Sequence, residues 1–328
     1  MTEPLVSICI PAYNGTEFLE QCLQSCLAQT FQDYEIVICD DGSTDGTPDL
    51  IKKLTAGYSR VRFFQNPKNL GLVGNWNRCM EESRGAWIKF VFQDDYISNN
   101  CLETFVGAIT GQTRLIVSKR NFVLPEKASD DMKNYYTQVV RTLVNTNSNR
   151  GNYFGPQLIS RIAVQNMAMN FIGEPSLTFF RKECITELGL FNPHLKQICD
   201  FEFLLRVSSA HGLTYLPYKL CSFRIHSNTT TSTNVSDNYF VLHYIEPLLL
   251  SYFMIYGKQF NSFRSQLSVW HRYKLKLYFR LKAYQACKAN IGENKLHYVF
   301  ADNNTDFLPI KKVAKGSVFI RFLAMLRR

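Results

Sequence analysis

The sequence lacks the cysteine spacings and repeats that identify many small metal-binding or modular proteins. None of its ten cysteines forms a Cys-x-x-Cys pair, so no zinc site is predicted, and no internal repeat is visible. Six of the cysteines lie in apolar stretches: Cys9, Cys22, Cys26, Cys39, Cys79 and Cys101. We therefore expect small core residues in a reducing compartment instead of disulfides.

The sequence also lacks a segment with the character of a membrane span or a secretion signal. Residues 1–4 lead directly into a strand-like run, without a basic region followed by an apolar core. The longest apolar stretch, 239–256, contains His243, Glu246 and Pro247, whereas a bilayer span requires about 20 apolar residues. We expect a cytoplasmic protein in which this stretch forms two buried helices separated at Pro247.

Residues 1–270 lack a formal net charge, because they contain 24 basic and 24 acidic residues. The formal net charge of +10 comes entirely from residues 271–328, which contain 13 basic and 3 acidic residues. A basic segment of this kind indicates a docking surface for anionic lipid, nucleic acid or an acidic partner. A solvated helix face has the same composition, so both interpretations stay open.

Apolar runs and helical spacings alternate along the chain. Strands are predicted over 5–10, 35–39, 61–65 and 87–92, and helices over 17–29, 47–58 and 72–82. Farther on, strands are predicted over 114–123, 176–180 and 213–225, and helices over 156–169 and 200–210. Alternation of this kind is typical of an α/β fold with a largely parallel sheet covered by helices.

The length and composition allow one main domain and an appendage. We predict an α/β domain over 1–235 and a basic helical extension over 236–328. A polar linker or active-site flap is predicted over 226–238, and a second polar, mobile segment over 127–150.

Polar clusters follow three of the predicted strands, at 11–15, 40–45 and 93–95. Ligands bind at the carboxyl ends of parallel strands, so these clusters should meet at one edge of the sheet. Asp94 and Asp95 have the chemistry to hold a divalent cation against diphosphate oxygens, although a lone Asp-Asp pair is more often a solvated turn. Asp40 and Asp41 form a second acidic pair at this edge, and two such pairs in one cleft indicate a cation or hydrogen-bond donors.

Other candidate side chains have a structural and a functional interpretation. The ring of Tyr13 offers a nucleobase a stacking face worth about 1–3 kcal/mol, or packs within its loop, while Asp40 suits a base N–H or a ribose hydroxyl. Asp200 and Glu202 begin a predicted helix, where a carboxylate is favoured in the first turn or serves as a general base. His226 follows a strand and either completes a metal site or lies in a polar loop.

Together these residues resemble the inverting glycosyltransferases of family 2, bacterial type, which have the GT-A fold. The resemblance spans residues 3–230 and is carried by the segments 6–15, 25–47, 66–71 and 85–95. It implies a nucleotide-sugar donor, linked to UDP, dTDP or GDP. The donor-binding residues that it implies are Pro11, Tyr13, Asn14, Asp40, Asp41, Asn69, Gly71 and Asp94.

The resemblance also implies a divalent cation, Mn²⁺ or Mg²⁺. The family's usual Asp-x-Asp motif would begin with an aspartate where this chain has Phe92, and the chain continues Gln-Asp-Asp. Related members with a Gln-Asp-Asp form imply that Asp94 holds the cation with support from Asp95. The segment 223–226 is similar to one with a late histidine, which implies that His226 closes the metal site.

Two later segments resemble the acceptor side of the family. The segment around Glu174 resembles that of bacterial members and implies an acceptor-side role for this residue. The segment 200–206 is similar to the helix that carries the family's catalytic aspartate, which implies that Asp200 is the general base, with Glu202 on the acceptor side. Cys199 stands where the family usually has an acidic residue.

The reaction implied is sugar transfer, with inversion, to a hydroxyl of a glycan or lipid-linked glycan in the synthesis of bacterial surface polysaccharide or lipopolysaccharide. The basic tail would rest on the anionic inner face of the cell membrane, which makes the protein cytoplasmic and peripheral. No nucleic-acid partner is expected.

Three other interpretations of these residues stay open. A sugar nucleotidyltransferase needs a Gly-rich loop with a basic residue after the first strand, and residues 11–16 lack it. A phosphoacceptor signalling domain has its acidic pair after the first strand, where this chain has Pro-Ala-Tyr-Asn. A nucleotide-sugar-binding subunit without turnover is consistent with Phe92.

Overall fold

The computed structural model describes residues 3–134, 136, 152–167, 169–226 and 245–289. The chain divides into two compact units, the first comprising Met1–Ile159 and Asn170–Thr229 and the second Ser160–Met169 and Thr230–Arg328. The predicted domain boundary at 235, almost all of the flap over 226–238 and the tail beyond Ala289 lie outside the described residues. So do residues 135 and 137–150 of the segment 127–150.

Nine strands form one sheet in the described part of the first unit. They are β1 (Val6–Ala12), β2 (Tyr34–Asp40), β3 (Val61–Gln65), β4 (Trp87–Phe90), β5 (Tyr96–Ile97), β6 (Leu115–Val123), β7 (Tyr153–Phe154), β8 (Thr178–Arg181) and β9 (Leu213–Arg224). Their order across the sheet is β3-β2-β1-β4-β8-β6-β9-β5, and β7 pairs with β9.

Helices follow most of these strands. In chain order they are α1 (Leu19–Leu27), α2 (Thr47–Thr55), α3 (Gly71–Glu82), α4 (Cys101–Gly107), α5 (Asp130–Asn134), α6 (Pro156–Gln165), α7 (Glu183–Leu188), α8 (Cys199–His211), α9 (Glu246–Tyr256), α10 (Asn261–Ser265) and α11 (Val269–Ala289). The predicted α/β fold is confirmed.

The direction of the strands decides which loops meet. Strands β1, β2, β3 and β4 are parallel, and β6 is parallel to β9. β8 runs antiparallel to both β4 and β6, which makes the sheet mixed. The carboxyl ends of β1, β2, β4, β6 and β9 therefore lie at the same edge as the amino end of β8.

The apolar strands are buried because helices cover them. Every residue of β1 and β2 is buried. The apolar face of α1 is also buried, with Leu19, Cys22, Leu23 and Cys26 at helical spacing. Nine cysteines of the described residues are buried and unpaired, which confirms their prediction as small core residues.

Pro11 lies within β1, whereas the sequence predicted that it ends the strand. A proline lacks the N–H that a ladder requires, and it is tolerated where no neighbour needs that donor. In β1, Pro11 faces the same neighbouring strand as Cys9, which is β4. The carbonyl oxygen of Cys9 accepts the last hydrogen bond on this side, from the N–H of Val91, which directly follows the end of β4. Because β4 has already ended opposite Pro11, no acceptor on that side requires an N–H from this residue. β1 therefore continues through Pro11 without losing a hydrogen bond.

In the second unit α9 and α11 pack together. The ring of Phe279 lies 6.4 Å from that of Tyr252 and 6.2 Å from that of Tyr256, between centroids. Pro247 lies in the first turn of α9, where a missing N–H costs nothing, and residues 239–244, the first part of the predicted helix pair, lie outside the described residues. Within the described residues, no helix is long and apolar enough to cross a bilayer.

Candidate active site

The loop after β1 is joined to the loop after β4 through Gln93. The backbone N–H of Tyr13 donates to Gln93 Oε1 at 2.9 Å, and Gln93 Nε2 donates to the carbonyl oxygen of Tyr13 at 3.0 Å. Gly15 allows this approach, because a Cβ at that position would lie 2.1 Å from Gln93 Oε1. The ring of Tyr13 remains 45% exposed.

The loop after β1 is also joined to the loop after β2. The N–H of Asn14 donates to Ser43 Oγ at 2.9 Å, and the N–H of Thr44 donates to Asn14 Oδ1 at 2.9 Å. Asn14 has φ 46°, in the left-handed region that Asn adopts more readily than most residues. Ser43 donates from its N–H and its hydroxyl to the buried carboxylate of Asp40. The three polar clusters therefore form one network.

Asp41 fixes a third loop. Its Oδ1 accepts from Asn66 Nδ2 at 2.9 Å and from the N–H of Leu70 at 2.8 Å. The next residues form a tight turn, in which the N–H of Gly71 donates to Asn69 Oδ1 at 2.8 Å and Gly71 has φ 76°. Asp41 is buried like Asp40, so both carboxylates act on the loops from within the fold.

The Asp94 side chain faces the end of β9. Its Oδ2 lies 3.1 Å from His226 Nε2, with side-chain exposures of 29% for Asp94 and 20% for His226. The Asp95 side chain is buried, and its Oδ1 accepts from the N–H of Arg224 at 3.0 Å. Burial raises the pKa of the Asp95 carboxyl to about 8, and the neighbouring charge of Asp94 adds to this rise.

Arg224 is a site residue that sequence reasoning missed. Its Nε donates to the carbonyl oxygen of Asp94 at 3.1 Å. Its guanidinium lies 4.4 Å from the ring centroid of Phe18, and that ring lies 5.1 Å from the ring of His226. Arg224 thus fixes both members of the Asp94–His226 pair, and its position two residues before His226 was the available signal.

The Asp94–His226 pair fits a divalent cation. A carboxylate oxygen and an imidazole nitrogen are suitable donors, and Asp95 Oδ2 next to them is a buried acceptor without a hydrogen bond of ordinary geometry to the described residues. No group of three or more His, Cys, Asp or Glu side chains suited to a metal occurs in the part of the chain that the structure describes. Two protein ligands leave positions for diphosphate oxygens and water, which is common for Mg²⁺ beside phosphates.

Asp200 lies in the first turn of α8 and contacts the segment before β8. Its Oδ2 accepts from Asn170 Nδ2 at 3.1 Å. Asn170 Oδ1 in turn accepts from the N–H groups of Ile172 and Gly173, at 3.1 and 2.9 Å. Sequence reasoning missed Asn170, since no local pattern marks an amide that connects a loop to a distant helix.

Glu174 and Glu202, both predicted on the acceptor side, have different surroundings. Glu174 forms an ion pair with Arg120, which is nearly buried and lies 4.5 Å from the ring centroid of Phe122. Glu202 is fully buried and its Oε2 accepts from Arg206 Nη2 at 2.9 Å. The structure does not bring Glu202 to the sheet edge where the other residues gather, and its carboxylate neutralises Arg206 in the interior.

The close approach of Gly15 and Gln93 leads to a stability prediction. We expect Gly15→Ala to lower the free energy of unfolding by about 1–3 kcal/mol, because the new methyl group overlaps the Gln93 side chain. Urea denaturation measures this change. Combining Gly15→Ala with Gln93→Ala should give the stability of Gln93→Ala alone. Gly107→Ala, with no atom within 4 Å of its Cβ, is the matched control, and equal effects of Gly15→Ala and Gly107→Ala would contradict the prediction.

Solved structures share this fold. TarS of S. aureus, residues 1–349 in complex with UDP-GlcNAc, aligns with TM-score 0.58 and 16% identity over 94% of this chain and 90% of that chain. The mannosyltransferase PcManGT of Pyrobaculum calidifontis, in complex with GDP-Man and Mn²⁺, aligns with TM-score 0.56 and 15% identity over 96% of this chain and 84% of that one. The fold is therefore that of the GT-A glycosyltransferases.

Sequence relatives define the family. Residues 7–168 match Glycosyl transferase family 2. An uncharacterized protein of Mycobacterium tuberculosis is 30% identical over 233 residues, which are 71% of this chain and 70% of that protein. The chondroitin synthase of Pasteurella multocida is 41% identical over 100 residues. These residues are 30% of this chain and 10% of the synthase. The chain belongs to glycosyltransferase family 2.

Proposed function

We propose that the protein transfers a sugar from a nucleotide-diphosphate sugar to an acceptor hydroxyl, with inversion at the anomeric carbon. The observation that carries this proposal is that Gln93 joins the loop of Tyr13 to the segment that contains Asp94, which pairs with His226. The proposal places the carboxylate of Asp200, beside the segment that leads into β8, at the same edge of the sheet. A donor needs a nucleotide site and charge stabilisation for its leaving group, and an acceptor needs a base.

In this proposal the nucleoside lies against the exposed ring of Tyr13, between the loops that follow Pro11 and Asp40. Backbone groups of these loops, with Asn14, Asn69 and Gly71, contact the base and ribose, because their geometry is fixed from within by Asp40 and Asp41. A stacked base gains about 1–3 kcal/mol from an aromatic face. UDP-linked and GDP-linked sugars are the first candidates, since TarS and PcManGT are complexed with UDP-GlcNAc and GDP-Man.

The diphosphate lies beside Asp94 and His226, which would hold Mn²⁺ or Mg²⁺ with support from Asp95. A divalent cation there neutralises the charge that develops on the departing diphosphate. Arg224 keeps the two ligands in place through its contacts with the Asp94 carbonyl and Phe18. The presence of Mn²⁺ in the PcManGT complex supports this choice of ion.

Asp200 removes the proton of the acceptor hydroxyl as that oxygen attacks the anomeric carbon from the face opposite the diphosphate. The hydrogen bond from Asn170 fixes the orientation of the Asp200 carboxylate. Glu174, held by Arg120, lies at the amino end of β8 and is placed by the proposal on the acceptor side.

The acceptor in this proposal is a glycan or lipid-linked glycan of a bacterial surface polysaccharide, made on the inner face of the cell membrane. The segment shared with a chondroitin synthase supports a polysaccharide acceptor. Transfer by a cytoplasmic enzyme at that face would bring nucleotide-sugar and lipid-linked acceptor together.

A thermal-shift panel of nucleoside diphosphates, with and without Mn²⁺, tests the proposed function. We expect one diphosphate to raise the melting temperature, and Mn²⁺ to increase that shift, since a ligand that binds only the folded state stabilises it. The matched control is the corresponding nucleoside, which lacks the diphosphate. A panel in which no diphosphate raises the melting temperature would contradict the proposal. If nucleoside triphosphates, added for comparison, raised it instead, the result would favour a nucleotidyltransferase.

Asn170→Ala provides a second test, directed at the base. We expect kcat to fall about 10-fold or more while the KM for the donor stays unchanged, because Asp200 loses the contact that positions it. Asn170→Asp keeps an acceptor for the Ile172 and Gly173 N–H groups but places a second carboxylate beside Asp200. Its like charge raises the pKa of Asp200, so the acid limb of the kcat profile should move to higher pH.

Asn166→Ala is the matched control for Asn170. Asn166 is an exposed amide whose donor among the described residues goes to the Ile162 carbonyl of its own turn, so its loss should leave kcat unchanged. The interpretation of Asn170 would be wrong if Asn170→Asp had the same pH profile as the unaltered protein.

A further inference from the structure

The helix α11 has two apolar faces, and the described residues cover one of them. Leu275, Phe279, Ala283 and Ala286 are buried, and Phe279 contacts the aromatic rings of α9. A second set of apolar residues is exposed: Trp270, Tyr273, Leu277 and Leu281. With about 3.6 residues per turn, the two sets lie on opposite sides of the helix.

The exposed set forms a continuous stripe. Its members recur three or four residues apart over three turns, and Trp270 and Tyr273 are 60% and 54% exposed. The rings of Trp270 and Tyr273 stack with centroids 5.6 Å apart, and Lys274 Nζ lies 5.4 Å from the Trp270 centroid. A contiguous apolar stripe on the exposed side of a helix indicates a surface that binds another protein or a membrane.

The charges on α11 itself are all of one sign. The segment Val269–Ala289 contains six Lys or Arg residues and no Asp or Glu. On the helix, Lys274 lies on one side of the stripe, and Lys276 and Arg280 lie on the other, all three exposed. A partner that fits this face is therefore anionic and presents apolar groups to the centre of the stripe.

We infer that the exposed face of α11 docks on the surface of a membrane rich in anionic lipids. A bilayer supplies both components, since its headgroups carry the negative charge and its acyl boundary accepts Leu277 and Leu281, while Trp and Tyr rings favour the interface. A second copy of this chain would bring the basic flanks of two helices together, which disfavours self-association. A nucleic acid would leave the leucine stripe without an apolar partner.

Flotation of the full-length protein with vesicles tests this inference. We expect the protein to float with vesicles of phosphatidylcholine and phosphatidylglycerol at low salt, and to remain unbound with phosphatidylcholine alone. The double variant Lys274→Gln with Arg280→Gln should lower the partition coefficient about 25-fold, at about fivefold for each charge. Trp270→Ala with Leu277→Ala should lower it by about tenfold or more at every salt concentration.

Matched controls distinguish vesicle binding through the exposed face of α11 from nonspecific adsorption of the protein. Tyr218→Ala removes an equally exposed ring in the first unit, and Lys53→Gln removes an exposed charge on α2, and both should float like the unaltered protein. Each variant is also assayed for nucleoside diphosphate release without vesicles. Retained release shows that the fold and the proposed activity are intact, so a loss of flotation is assigned to α11 alone.

Several results would overturn the inference. One is equal flotation of the α11 variants and the unaltered protein. Another is binding of an RNA oligonucleotide without binding of anionic vesicles. A third is a dimer in light scattering that Trp270→Ala dissociates while vesicles stay unbound, which would assign the stripe to self-association.

Discussion

Asp94→Ala should lower the rate of sugar transfer roughly 10²- to 10³-fold, the effect found when one group that stabilises developing negative charge is removed. Asp94 is the more exposed residue of the Asp94–His226 pair. Without its carboxylate, the proposed diphosphate site keeps only the imidazole of His226 from this pair. We expect the Mn²⁺ concentration for half-maximal rate to rise, because one of two protein ligands is missing. Initial rates across a Mn²⁺ titration measure both effects.

The control for this variant is Asp49→Ala. Asp49 is an exposed carboxylate in the first turn of α2, and its side chain pairs with the exposed Lys52. Its removal should leave the rate and the Mn²⁺ dependence unchanged. His226→Ala should resemble Asp94→Ala in its Mn²⁺ dependence. Unchanged transfer by Asp94→Ala would exclude the proposed leaving-group site.

Asp200→Asn should lower kcat by about 10²- to 10⁴-fold, the range for loss of a general base. The amide keeps the size of the carboxylate and keeps an oxygen for the Asn170 hydrogen bond, so the local structure should persist. Binding of the nucleoside diphosphate should stay within about twofold of its original Kd, because the proposal places Asp200 beside the acceptor and not beside the nucleotide. Single-turnover transfer and calorimetric titration measure the two quantities.

The outcome of Asp200→Asn separates the candidate carboxylates. Glu202→Gln changes a buried group that pairs with Arg206, so it should reduce stability and leave the kcat of the folded fraction nearly unchanged. If Glu202→Gln abolished transfer and Asp200→Asn did not, the assignment of the base would be wrong.

Most of the sheet could be predicted from the sequence because its signals are local. The strand over 61–65 was predicted with its observed bounds, and β1, β2 and β6 within two residues. Apolar runs followed by helical spacings mark such elements directly. The two-residue strands β5 and β7 were missed, since two residues carry no periodicity.

The sequence suggests which residues belong to the candidate site, but it does not give the contacts among them. The sequence predicted that the loops containing Asp40 and Asp94 meet at one edge, because each loop follows a strand of a parallel set. The roles of Asn170 and Arg224 depend on hydrogen bonds to residues 30 and 130 positions away in the chain. The burial of Glu202 was equally invisible, because a glutamate four residues before an arginine has the same pattern on an exposed helix.

Hydrolysis of the matching nucleotide-sugar in water labelled with a heavy oxygen isotope tests the central claim most directly. The bond that breaks decides the class of reaction, and mass spectrometry of the products locates the label. The account predicts that the anomeric carbon–oxygen bond breaks, so the label enters the released sugar and the nucleoside diphosphate stays unlabelled. Label in a phosphate product, or release of nucleoside monophosphate, would contradict it.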